Sequence, residues 1–217
     1  MRFVVTAGPT REAIDPVRFI SNRSSGKMGY AIADAAIAAG HDVTLISGPA
    51  SVTPPEGAQF ISITTSDELH DEVHRAVREC DVLVMCAAVS DYKPAKVGPR
   101  KIKKSKTPFA LELTPTRDIL ASLSRDNRSY LVVGFAAETH DLELNAQKKL
   151  REKNCDMIIA NDISKTDSGM ESDKNAVTIF LRNGESRIIS RTSKTIIARE
   201  LVKIISKMSQ KCLTKKT

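Results

Sequence analysis

Ser24, Ser25 and Gly26 head an Ala-rich run, SNRSSGKMGYAIA, and their order suits the binding of an anion. A glycine at a helix entry lets backbone N–H groups approach a phosphate, and the helix dipole adds to the attraction. The two hydroxyls are further donors. The spacing is neither that of a P-loop nor that of the G-x-G-x-x-G fingerprint. Read blandly, the same residues are a helix start with a glycine for tight packing. They also stand unusually far from the first strand-like run, FVVTAGPT, which ends near Thr10. The polar insert REAIDPVRFISNR intervenes.

Five other clusters could carry chemistry. CAAVSDYKP closes a continuous apolar run, and open α/β sheets bind ligands at strand carboxyl ends. Ala87 and Ala88 leave room there for a ring or sugar, and Asp91 is placed to accept from a ribose hydroxyl or hold a metal. The plain alternative is a packed strand end with a solvated carboxylate. RKIKKSK reads as a solvated basic loop or as a cationic lid whose lysines follow developing charge. TRDIL and GFAAET lie beside later strands, as packing or as site. Lys149 and Lys153 are i and i+4 on one helix, hence a solvated face or a triphosphate clamp.

Two patterns are decoys. YKPAK, residues 92–96, matches the Tyr-x-x-x-Lys pair of short-chain dehydrogenases, but that pair needs a helix and Pro94 disfavours one. His70 and His74 have metal-ligand spacing but no third ligand in matching context, so they read as a solvated helix face. Nothing resembles a Ser-His-Asp set or a tetrahedral zinc site.

The elements that must position these residues alternate. RFVVTAG, HDVTLISGP, AQFISITT, DVLVMCAAVSD, YLVVGFAAET and DMIIAND read as strands. MGYAIADAAIAAG (stopped by Gly40), SDELHDEVHRAVREC (capped by Ser66) and LELNAQKKLREKN read as helices. Apolar strands between helices predict an α/β, Rossmann-like fold with a mainly parallel, doubly wound sheet. KVGPRKIKKSKTP breaks the pattern and is expected to be a flexible basic flap returning through a short strand, FALELT. NAVTIFLRNGESRIIS alternates with period two around Asn183-Gly184, which predicts an added β-hairpin. SKTIIARELVKIISKM is a closing helix. One domain over 1–210 is expected, with a frayed basic tail at 211–217.

Composition narrows the function. The 217 residues are 41% hydrophobic and 27% charged, which suits a globular domain. Aromatics are 4% and Trp is absent, so aliphatic side chains must fill the core. A net charge of +7 admits nucleic acid or a small, highly phosphorylated ligand. No aromatic and basic interleaving exists to stack bases, which argues against nucleic acid. Cys80, Cys86, Cys155 and Cys212 form no C-x-x-C pair and read as thiols in a reducing cytosol. The chain opens directly on a strand and has no apolar run of membrane-spanning length. A cytoplasmic protein without a membrane partner is expected.

The ordered set TAGPTREAIDPVRFISNRSSGKMG, CAAVSDYKP, KIKK, VGFAAET and ANDIS resembles the phosphopantothenoylcysteine synthetases of coenzyme A biosynthesis, over nearly the whole chain. That family is part of the bacterial DNA/pantothenate metabolism flavoproteins, in which the synthetase commonly follows a flavin-dependent decarboxylase. Starting at the synthetase strand, this chain looks like a stand-alone version, with no FMN expected. The resemblance implies a two-step ligase. The carboxylate of 4′-phosphopantothenate attacks the α-phosphate of a nucleoside triphosphate, CTP in the bacterial members and ATP as the open alternative, with Mg2+ held mainly by the triphosphate. The amine of L-cysteine then attacks the acyl-nucleotide.

The same resemblance assigns residues. Asn22 would contact the acyl-phosphate carbonyl, and Arg18 would support its loop or bind an anion. Lys101 would be the flap lysine, touching the nucleotide and serving its conversion. Ser24, Ser25 and Gly26 keep the phosphate-binding reading that their own chemistry gives, next to these residues. Met85, Cys86 and Ala87 would wrap cytosine and ribose, with Asp91 close by. Arg117, Asp118, Ile119 and Leu120 match a nucleotide-contacting turn, although relatives often have Asn-Pro where this chain has Thr116-Arg117. Phe135 would pack on the base, and Lys149 and Lys153 would meet the phosphates. A homodimer with shared active sites is implied, through the hairpin or the insert. The competing reading is an NAD(P)-binding, short-chain-dehydrogenase-like oxidoreductase. It lacks the acidic residue after the second strand, LISGPAS, that an NAD enzyme would use.

Overall fold

The computed structural model describes residues 1–123, 128–138, 140–162 and 172–213, with the backbone alone at 162 and 210–213. In chain order, β1 (Arg2–Ala7) leads into a small hairpin, β2 (Arg11–Ala13) and β3 (Phe19–Ser21), then α1 (Lys27–Ala38), β4 (Asp42–Ser47), β5 (Gln59–Ser62), α2 (Ser66–Ala76) and β6 (Val82–Met85). β7 (Tyr92–Pro94) and β8 (Leu113–Pro115) bracket the basic flap. Next come α3 (Ile119–Ser122), β9 (Leu131–Glu138), α4 (Leu142–Glu152), β10 (Met157–Asp162), β11 (Lys174–Leu181), β12 (Ser186–Ser193) and α5 (Lys194–Leu213). Residues 214–217 of the expected tail lie outside the described residues.

Eight strands form one sheet in the order β12-β11-β10-β9-β6-β1-β4-β5. The six from β10 to β5 run parallel, and the β11–β12 hairpin adds on antiparallel at the edge. The apolar strands are buried on both faces, as their continuous hydrophobic runs require. One face packs Phe3, Val5, Val84, Val133 and Ile159 against α1 and α5. The other packs Val4, Leu83, Val132 and Ile158 against α2, α3 and α4. The sheet is doubly wound, as expected, and its strand order reverses between β1 and β6. Ligand crevices open at that point in such sheets.

Three local expectations need correction. Thr65, not Ser66, caps α2: its hydroxyl accepts the Glu68 N–H at 3.2 Å, and the Glu68 carboxylate reaches back to the Thr65 N–H. Ser66 is the first helical residue, and its N–H donates to buried Glu12 at 2.8 Å. The flap's return strand is shorter than FALELT and pairs with β7, the YKP stretch. Lys153 lies one residue past α4, as its C-cap, so the lysine pair does not share the helix proper.

The alanines of α1 let it lie close to β1. A Cβ at Gly29 would come within 2.6 Å of the Ala7 Cβ and 2.9 Å of the Thr6 carbonyl oxygen, both on the strand beneath. Gly29→Ala is expected to destabilise the fold by about 1–3 kcal/mol through overpacking, outweighing a helix-propensity gain of about 1 kcal/mol. The measurement is the urea midpoint at unchanged m. A variant as stable as the wild type would mean that helix and strand move apart freely.

Candidate active site

Thr6 and Thr10, both fully buried, shape the mouth of the β1–β6 crevice. Thr6 Oγ1 accepts the N–H groups of Cys86 and Ala87 at 3.0 and 3.1 Å as the chain leaves β6. Thr10 Oγ1 accepts the Ser90 N–H at 3.0 Å, and Thr10 N–H donates to the Ala88 carbonyl at 3.1 Å. The 86–90 loop is thereby bent over the ends of β1 and β6, and it carries Ala87 and Ala88 where a bulky ligand would meet only small side chains.

The crevice widens into a cleft of about 670 Å3. Its lining brings together residues scattered through the sequence: Asn22, Ser24, Ser25 and Gly26 from the insert and α1 entry, Met85, Cys86, Ala87 and Asp91 from β6 and its loop, and Arg117, Asp118, Ile119 and Leu120 from the α3 entry. Phe135 of β9, Lys149 and Lys153 line it as well. Gly26 has φ 78°, a left-handed conformation that a side chain would strain. Its N–H donates to Ser24 Oγ at 3.3 Å.

Two of the residues assigned to catalysis do not line this cleft. Arg18 is drawn to Asp15, whose buried carboxylate also accepts the N–H groups of Val17 and Arg18 at 2.9 and 3.0 Å. The pair then captures both backbone groups of Ile102: its N–H donates to Asp15 at 3.0 Å and its carbonyl accepts from Arg18 at 2.9 Å. This clasp ties the insert to the root of the flap. Lys101, the residue before, is exposed and outside the lining. Arg18 is thus placed against the root of the flap, away from the loop that carries Asn22.

The lining cations are mostly engaged with carboxylates. Lys153 pairs with Asp118, which also caps α3 through the Ala121 N–H at 2.9 Å. Lys149 stands 4.0 Å from Glu138. Arg117 reaches Asp67 at 3.0 Å and Asp71 at 3.3 Å, so its guanidinium braces α2. Asn22 donates from Nδ2 to the carbonyls of Ala88 and Val89 at 3.1 and 3.0 Å. It holds the loop above the cleft.

Sequence reasoning missed Lys27, Asn161, Asn175 and Lys194, which also line the cleft. Their signal was thin: an ordinary lysine after Gly26, two asparagines at strand positions and the first residue of a helix. The decoys resolve plainly. Tyr92–Pro94 is a strand, so Tyr92 and Lys96 form no helical pair. His70 and His74 are half-buried rather than solvated, with rings 4.3 Å apart, and His74 meets Ser122 at 2.8 Å. Among the described residues no acidic, His or Cys group could hold a metal by itself. Burial pushes the thiols of Cys80, Cys86 and Cys155 up to about 12, so they serve as apolar filling.

The profile of the DNA/pantothenate metabolism flavoprotein C-terminal domain matches residues 1–208. The chain belongs to that family. It is 44% identical, over 95% of its length, to the coenzyme A biosynthesis bifunctional protein CoaBC of Bacillus subtilis. It spans about half the length of that relative, 51%. A crystal structure of the C-terminal domain of a CoaBC protein superposes with a TM-score of 0.83 at 40% identity, covering 97% of this chain and 96% of that one. A Cab2 variant in complex with phosphopantothenate-cysteine has the same fold, with a TM-score of 0.81 at 17% identity.

The Arg18 guanidinium, ahead of the Ile102 amide, holds the Asp15 carboxyl well below the usual carboxylate range. A depressed carboxylate contributes its full stability above its unfolded value, about 3.9, and loses it progressively as pH falls from there to the folded value. The clasp should therefore hold unchanged from pH 8 down to pH 4. The Ile102 amide is expected to keep one exchange protection factor over that range. Asp15→Ala should abolish the protection and speed tryptic cleavage within RKIKKSK. Unchanged protection in that variant would exclude the clasp.

Proposed function

We propose that this chain is a phosphopantothenate–cysteine ligase of coenzyme A biosynthesis, acting in the cytoplasm. The observation that carries the reading is the convergence of the family's nucleotide-binding positions on one cleft at the strand-order reversal. The carboxylate oxygen of 4′-phosphopantothenate attacks the α-phosphorus of CTP, and pyrophosphate leaves. The amine of L-cysteine then attacks the acyl carbonyl, and the nucleoside monophosphate leaves with the bonding electron pair. Two anions must approach in the first step, so cations must offset their repulsion. Lys149 and Lys153 suit this, because partly exposed ion pairs are worth little and exchange readily for phosphate. The second step develops an oxyanion and needs donors there, which Asn22 and Lys101 would supply.

Magnesium fits this cleft as an ion carried by phosphates, since Mg2+ commonly takes one or two carboxylates besides substrate oxygens. Asp91, one of two carboxylates in the lining with Asp118, would reach it. The ion's chemistry is to neutralise phosphate charge. Ala87 and Phe135 flank the space for a base, where CTP is read against ATP.

A homodimer is part of the proposal. Val17 and Phe19 of the insert and Val97, Phe109 and Leu113 around the flap are large apolar side chains left exposed. They lie on the part of the chain that carries Arg18 and Lys101. Such a face suits a second copy, whose cleft these two residues would complete.

The direct test supplies 4′-phosphopantothenate, magnesium and CTP or ATP, with and without cysteine. Phosphopantothenate-dependent pyrophosphate, then monophosphate and amide on adding cysteine, is expected with CTP. No pyrophosphate with either nucleotide from folded protein would overturn the reading. Lys101→Gln is expected to slow amide formation more than pyrophosphate release. Equal slowing would leave it a nucleotide-binding role only. Mixing inactive Arg18→Ala and Asn22→Asp proteins should restore roughly a quarter of wild-type activity, as statistical pairing in a two-fold dimer gives one intact site per mixed dimer. No recovery would place both residues in one subunit's site.

A further inference from the structure

β7 and β8 are the two legs of the flap. Lys93 lies on the outgoing leg, opposite Thr114, and Arg117 follows the end of the returning leg. Between them Thr116 closes the ribbon. Its N–H donates to the Asp91 carbonyl at 2.9 Å and its hydroxyl to the Ser90 carbonyl at 2.7 Å. The two cations then turn to one carboxylate. Asp67 gives Oδ2 to Lys93 and Oδ1 to Arg117, the latter at 3.0 Å from Nε. Lys93 foremost, and Arg117 with it, hold the Asp67 carboxyl below the usual carboxylate range, although desolvation opposes them.

The carboxylate is held in place from behind. It stands in the first turn of α2, which the Thr65 and Glu68 side chains cap. The insert grips the same turn: Glu12 accepts the Ser66 N–H at 2.8 Å, and the Arg11 N–H donates to the Thr64 carbonyl at 2.7 Å. Its two partners differ in what else they can reach. Arg117 lines the cleft and has a second carboxylate, Asp71, at 3.3 Å. Lys93 lies outside the lining and meets no other carboxylate among the described residues. Two cations on one carboxylate repel each other and divide its attraction, so withdrawing one tightens the hold on the other. An anion in the cleft is what would withdraw Arg117. Asp67 and Asp71 are partly exposed and hold it weakly, whereas a phosphate takes a guanidinium through two hydrogen bonds.

We propose that Asp67 is a positioning residue shared by the cleft and the flap. An anion that engages Arg117 releases the carboxylate to Lys93, and the outgoing leg of the flap is drawn more firmly onto α2. Occupancy of the cleft is thereby felt at the flap with no contact between ligand and Lys93. That the anion is a nucleotide rests on the ligase reading. The competition for Asp67 does not.

Acylation of Lys93 by a succinimidyl ester, read peptide by peptide by mass spectrometry, tests this without turnover. An ammonium held by a carboxylate must leave it before the amine can react. In the ligand-free protein Asp67→Asn should speed the acylation of Lys93 about two- to five-fold, the range open to a partly exposed pair. Arg117→Gln should slow it by a similar factor. A carboxylate that only braces the ribbon predicts the opposite for Arg117→Gln, since losing a brace loosens both legs. Acylation at the wild-type rate or faster in folded Arg117→Gln protein therefore overturns the competition. CTP and, separately, pyrophosphate should slow Lys93 in the wild type and leave it unchanged in Arg117→Gln. A wild-type protein that binds neither ligand by calorimetry, or binds one with no change at Lys93, overturns the coupling. Arg117-dependent slowing by pyrophosphate in a protein without ligase activity would keep the coupling and reject the ligase.

Discussion

The site depends on one buried hydroxyl. Thr6 sits on β1 with no exposure, yet its Oγ1 serves the backbone of a different strand, accepting two N–H groups just beyond β6. Those groups have left the parallel ladder and are partly buried, so an orphaned pair would be costly. A valine of the same shape would fill the space and leave both unsatisfied. The hydroxyl thus fixes where β6 turns away from the sheet. Ala87, Ala88, the Asn22 contacts and the 86–90 loop all take their places from that turn.

What sequence made legible is what local pattern encodes. Apolar strands, the Ala-rich helix and the Asn183-Gly184 hairpin each signal themselves within a few residues. The lining residues named from a family resemblance also converged, except for Arg18 and Lys101. The misses have a common cause. Thr65 caps α2 because Glu68 lies three residues on, a signal that competed with an equally suitable Ser66. Lys194 is unreadable locally, because a lysine opening a helix is unremarkable until two strand reversals carry it into the cleft. Asp15 carries no local signal, because its partner Ile102 is 87 residues away.

Charge is distributed in the same spirit. A net charge of +7 would repel itself if cations clustered without partners. Around the cleft, lysines and arginines instead meet carboxylates: Lys153 with Asp118, Lys149 with Glu138, Arg117 and Lys93 with Asp67, and Lys27 with Asp173. Most of these pairs are partly solvated, and such pairs contribute at most about 1 kcal/mol. A phosphate offers each cation a more highly charged partner at little loss. The pairs keep the empty cleft from repelling its own walls while leaving the cations available.

The Asp15 clasp obeys a different rule, and the contrast says what each is for. Its carboxylate is buried and satisfied by three backbone N–H groups as well as Arg18. A buried carboxylate bound this completely has nothing to gain from exchange, since any opening strands charge in a dry site. The insert thereby becomes a fixed support for the flap's root, while the flap beyond Ile102 stays exposed. An anchored root with an exposed segment beyond it would suit a flap lysine, because the attachment would limit how far Lys101 could stray from a bound ligand. The insert that separates β1 from α1 is a mounting for the flap as much as a source of side chains.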